Sequence, residues 1–150
     1  MRNILAATLI ALPATVFAQD AFESAVEARQ SFFTLLGANM GALSGMARGE
    51  VEYDEEVAAA HAANIEALTQ YGVPMHFVEG SSVDDLGDDE TEARPEIWSD
   101  REGFEARFAA LGEAAAGASE AVRGGQENVG PVLQQLGGAC KACHDDYRAN

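Results

Sequence analysis

The stretch AFESAVEARQSFFTLLGANMGALSGMA, Ala21 to Ala47, decides the architecture. Its apolar side chains fall at Phe22, Val26, Phe33, Leu36, Met40, Leu43 and Ala47. Steps of three and four residues place them on one face of a helix. Arg48-Gly49 supplies a stop. Working outward, the same period returns three more times. A second helix opens on the acids Asp54-Glu55-Glu56, favourable against its dipole, and carries Val57, His61, Asn64, Leu68 and Tyr71 on one face. Gly72 and Pro74 end it. A third is predicted from Asp100 to Arg123, with Phe104, Phe108, Leu111, Ala115, Ala118 and Val122 in register, stopped by Gly124-Gly125. A fourth starts near Asn128, tolerates Pro131 in its first turn, and continues through Leu133, Leu136, Cys140, Cys143 and Tyr147. No segment alternates with period two, so the expected fold is all-α, a four-helix bundle. The inward faces are rich in Ala and Gly, which fits either close helix contacts or a bulky group held between helices.

Between the second and third helices, residues 73–99 form an unusually long connection. Nine acids and one base, Arg94, lie between Glu79 and Asp100, and a solvated acidic loop is the expectation, with a docking surface for a basic partner as the sharper alternative. The whole chain has 150 residues, 25 Asp and Glu against nine Lys and Arg, and a net charge of -16. Such a polyanion is repelled by phosphate backbones, which sets nucleic acid aside as a partner. The apolar content of 47% is too high for a disordered chain.

Residues 1–18 have the form of a secretory signal peptide: Met1-Arg2-Asn3, an apolar run from Ile4 to Phe17, and a cut expected between Ala18 and Gln19. The run is too short for a membrane anchor, which needs roughly 17–25 residues. The expectation is an exported chain, residues 19–150, free of the membrane and periplasmic in a Gram-negative host.

Cys140-Lys141-Ala142-Cys143-His144 is a C-x-x-C-H motif on the fourth helix. Residues three apart share a helix face, so two thiols there can each form a thioether with one vinyl group of a single haem. The neighbouring His144 then brings its imidazole to the iron, and an exported chain with this pentapeptide points to covalent haem c, one per chain. Three other uses of the pair compete. A redox-active C-x-x-C usually opens a helix in a βαβ context that is absent here. A zinc site needs two further ligands. A local disulfide is the third. Six residues follow His144, so any sixth iron ligand comes from upstream.

The run Cys140-Lys141-Ala142-Cys143-His144-Asp145-Asp146-Tyr147-Arg148 resembles the C-terminal signature of the cytochrome c′ family. Ala25-Val26-Glu27-Ala28-Arg29-Gln30-Ser31 resembles that family's first-helix segment, and Pro95-Glu96-Ile97-Trp98 its approach to the third helix. The similarity spans Gln19 to Asn150. It implies an antiparallel up-down-up-down bundle. It implies thioether positions at Cys140 and Cys143 and the proximal ligand at His144. It further implies propionate contacts from Arg29 and Gln30, a basic residue near the proximal face at Arg148, and Phe33 over the other face of the iron. Phe33 has no lone pair, so the iron is expected five-coordinate and high-spin, open to nitric oxide or carbon monoxide and able to pass single electrons to an unknown redox partner. An enzyme is not expected, because a phenyl ring supplies no distal acid or base. Phe32 is expected in the core. The alternative is a low-spin six-coordinate carrier using Met40 or His61, with Met46, Met75 and His76 less well placed. A homodimer is also implied by the resemblance.

Overall fold

The computed structural model describes residues 15–149, with side chains from residue 22. Most of the expected leader, residues 1–14, lies outside the described residues; Thr15–Ala18 continue the first helix. Four long helices form the bundle: α1 (Thr15–Ala47), α2 (Glu55–Thr69), α5 (Arg101–Ala115) and α7 (Val129–Tyr147). Three single-turn helices lie between them, α3 (Val83–Leu86), α4 (Glu96–Ser99) and α6 (Ala118–Ala121). Short 3-10 turns occupy Val73–His76 and Gln126–Asn128. No strand occurs among the described residues, and the all-α antiparallel four-helix bundle is borne out.

Local chemistry fixes the helix starts. The Asp54 carboxylate accepts from the Val57 amide at 3.0 Å, and Glu55 and Glu56 sit in the first turn of α2. Asp100 does the same for α5, accepting from Gly103 at 3.2 Å. Each satisfies a donor that the helix itself leaves free. The fully buried Leu43, Ile65, Val122, Val129 and Leu136 form the centre of the bundle, drawn from both halves of the chain.

Two expectations need correction. The third helix does not run unbroken from Asp100 to Arg123. Ala116 is extended and Gly117 takes φ +78°, the left-handed region that only glycine enters cheaply, so α5 ends and α6 begins anew. The Glu66 carboxylate of α2 accepts from the backbone and hydroxyl of Ser119, at 2.9 and 3.1 Å, and holds α6 in place. The buried Ala118 and Val122 keep the apolar register across the break, which is why the period alone reads as one helix.

The acidic connection is not simply a solvated loop. Its acids face outward, but Ser81, Ser82, Thr91, Ala93 and Ile97 are buried. It is tied down at several points. The Ser82 and Asp85 side chains form a capping box at α3, and the Ala149 amide donates to the Glu92 carbonyl at 2.8 Å beside an antiparallel bridge between Ala93 and Arg148. The connection is therefore a belt laid along one side of the bundle.

Candidate functional site

Belt and bundle enclose a cavity of about 870 Å³. One wall is the C-terminal part of α7, presenting Ala139, Cys140, Cys143 and His144. Opposite it, α1 contributes Arg29, Gln30, Phe33, Leu36, Gly37 and Met40. These recur at three- and four-residue steps, the period that put them on one face in the sequence. Gly37 has no neighbour within 4 Å of where a Cβ would stand, so here a small residue makes room rather than a tight helix contact. The belt supplies Phe77 and residues 88–93, and α5 supplies Phe104, Arg107, Phe108 and Leu111.

The seven residues singled out in the sequence are thus brought to one cavity: Cys140, Cys143, His144, Arg29, Gln30, Phe33 and Arg148. Both thiols are free and half-buried. Burial pushes both up, and Cys143 reaches about 11, with the neighbouring Cys140 adding to the effect. They are therefore kept as thiols near neutral pH. Burial, then the charge of Arg148, lowers the His144 imidazole below its usual value against a smaller opposing pull from Glu92 and Asp145. The neutral form, the one that carries a free lone pair, is favoured.

Phe33 is 40% exposed, whereas its neighbour Phe32 is buried in the core as expected. The two rings meet edge to face at 5.0 Å. Arg29 is buried. Its guanidinium donates to the Ser81 hydroxyl at 2.8 Å, to the Ser81 carbonyl at 2.7 Å and to the Thr91 hydroxyl at 2.7 Å, so its first task is to fasten the belt. Burial lowers it to about 10, which leaves it charged near neutral pH. Two of its five N–H groups remain for another acceptor. Gln30 donates to the Glu90 carbonyl at 2.8 Å. Arg148 caps α7 and pairs with Glu92.

The alternative iron ligands separate cleanly. Met40 lines the cavity. His61 does not: its Nδ1 lies 2.9 Å from the Asn39 amide oxygen. His76 accepts from or donates to the Tyr71 hydroxyl at 2.6 Å, Met75 is exposed and Met46 is buried in the core. Sequence reasoning missed Phe77, Phe104 and the buried Ser81 and Thr91. The apolar pair Phe77-Val78, set among acids and turn residues, is the signal that pointed to a packed segment there.

The residues fit a haem. Two thiols and an imidazole share one wall, the facing wall is largely apolar, and Arg29, Arg107 and Arg148 bring cations to a cavity of matching amphiphilic character. The comparisons with known proteins agree. The family model described as Cytochrome C′ matches residues 24–148. The chain is 42% identical over 149 residues to cytochrome c′ of Cereibacter sphaeroides, covering 99% of this chain and 98% of that one. It is 37% identical to cytochrome c-554 of the same organism, covering 94% and 91%. A solved structure of cytochrome c′ from Rhodobacter spheriodes superposes with a TM-score of 0.80 at 39% identity, covering 86% of this chain and 98% of that one. A C-x-x-C-H wall, an apolar face opposite it and similarity along almost the whole chain together place this protein in the cytochrome c′ family of c-type cytochromes, whose cofactor is covalent haem c.

Proposed function

We propose that this chain is an exported, periplasmic haem protein that binds nitric oxide and carbon monoxide at a five-coordinate iron and passes single electrons. The observation that carries this is the place of Phe33, a side chain without a lone pair, on the wall facing His144 across the cavity. Bound haem supplies an iron centre that changes oxidation state by one electron and accepts a neutral diatomic molecule. The Cys140 and Cys143 sulfurs tether it, and His144 Nε2 or Nδ1 ligates from the α7 side. Arg29 and Gln30 face its acidic edge from α1, and Arg148 does so from the end of α7. Phe33 covers the remaining face and yields to a small neutral ligand by turning outward, where it is already partly exposed. Water and anions gain little there, because the apolar side chains offer them no hydrogen bond. With no acid or base on that side chain, turnover chemistry is not expected.

Two solved relatives support the gas ligand and the dimer. A cytochrome c′ of Alcaligenes xylosoxidans, 29% identical with a TM-score of 0.71, is known as a nitric oxide complex. Another cytochrome c′, 30% identical with a TM-score of 0.75, shows ligand-controlled dimer dissociation. A homodimer is the assembly proposed here. The signal-peptide form of residues 1–18 supports export.

Met40 favours a second reading, a low-spin six-coordinate carrier, because its thioether shares the cavity. A pyridine haemochrome assay followed by ferrous and carbonyl spectra separates the two. The first predicts a broad high-spin ferrous spectrum that changes on adding carbon monoxide. A sharp low-spin α band, indifferent to carbon monoxide and lost in Met40→Leu, would establish the second. Colourless protein from a host able to attach haem would end both.

A further inference from the structure

Phe77 lies on the belt, outside every motif in the sequence, yet its ring is buried on the cavity wall. It is held from several directions. The Arg29 guanidinium carbon stands 4.9 Å over its ring centroid, and Phe104 meets it edge to face at 4.7 Å. Its carbonyl accepts from Trp98 Nε1 at 3.1 Å and from the Arg101 guanidinium at 3.2 Å. Aromatic edge contacts, a cation over the ring face and two backbone hydrogen bonds each resist displacement. Phe33 is the opposite case. It is 40% exposed, and it meets Phe77 edge to face at 6.5 Å.

One ring is therefore fixed and its neighbour is free to move outward. Given an open iron face under Phe33, as proposed for the function, we infer that Phe77 is a specificity-determining wall of the ligand site. Phe33 turns away to admit a ligand, while Phe77 stays and sets the inner limit of the space uncovered. Arg29, Trp98 and Arg101 are positioning residues that act through Phe77. The ligands that pass are neutral and narrow; a molecule with an alkyl branch meets the Phe77 ring.

The test uses the ferrous haem-bearing protein and two probes, carbon monoxide and n-butyl isocyanide. In Phe77→Ala the ratio of isocyanide to carbon monoxide association rates should rise roughly three- to tenfold, the range spanned by one aromatic pair contact. Phe77→Leu should give a smaller rise of the same sign, and it decides alone if the Ala variant does not fold. A second readout needs no kinetics: 19F NMR of 4-fluorophenylalanine-labelled protein in the diamagnetic ferrous carbonyl form, with the Phe33 line assigned through Phe33→Leu. Removing the Phe77 ring should shift that line. An unchanged ratio together with an unchanged Phe33 line overturns the wall. Phe33→Ala is the separate control. If it fails to speed carbon monoxide binding, the open face itself is wrong; if it speeds binding and the Phe77 variants do nothing, only the wall is wrong.

Discussion

The Arg148 guanidinium lies 2.7 Å from the Glu92 carboxylate, while the backbones of Arg148 and Ala93 pair in an antiparallel bridge. The belt is thus joined to the chain four residues beyond the presumptive iron ligand His144. Both side chains are about half exposed, so the ion pair itself contributes little next to the backbone pairing. Glu92→Gln should lower stability by about 1 kcal/mol or less. The loss should fade in high salt, as screening removes what the pair supplied. Urea melts at low and high ionic strength check both points.

Arg29 is a different matter, because its three hydrogen bonds are buried. Arg29→Met keeps most of the volume and leaves the Ser81 and Thr91 hydroxyls short of a donor. A loss of about 2–4 kcal/mol is expected. Limited proteolysis should show the damage in the belt first, with faster cleavage between residues 78 and 92 than elsewhere. Uniform cleavage along the chain would show that Arg29 does not hold the belt.

Tyr147 donates to Asp100 at 2.7 Å and joins the end of α7 to the start of α5. This hydrogen bond, with burial and the carboxylate charge behind it, pushes the phenol up to about 12. An unfolded tyrosine titrates near about 10. The folded chain holds the proton more tightly, so the contribution is whole below about pH 10 and is lost as pH rises through about 12. The difference in urea midpoint between wild type and Tyr147→Phe should shrink across that window and stay level below it.

Phe33→Met places a thioether where the phenyl ring now faces the cavity. The expected result is a sharp low-spin α band and a ferrous spectrum that carbon monoxide changes slowly. An unaltered high-spin spectrum would mean that position 33 does not stand over the iron.

Much of this was legible in the sequence because it rests on periodicity and on one motif. The three- and four-residue steps from Val26 to Leu43 define the face of α1 that turns inward. The three-residue spacing of Cys140 and Cys143 sets both thiols on one side of α7. The break at Gly117 was hidden, since a left-handed residue between Ala115 and Ala118 leaves the apolar register intact. The belt was hidden for another reason. Its composition is acidic, and composition does not say that Ser81 and Thr91 point inward to a buried arginine from a segment more than fifty residues away. His61 looked inward on a helical wheel, but a wheel does not show that Asn39 is its neighbour rather than the cavity.

The interruption at Ala116–Gly117 has a practical use. The cavity takes nothing from α5 beyond Leu111, and α6 is anchored separately to α2 through Glu66. Extra residues spliced in at that joint, such as a fluorescent reporter or an affinity loop, would lengthen the molecule at a point mechanically isolated from the coloured centre.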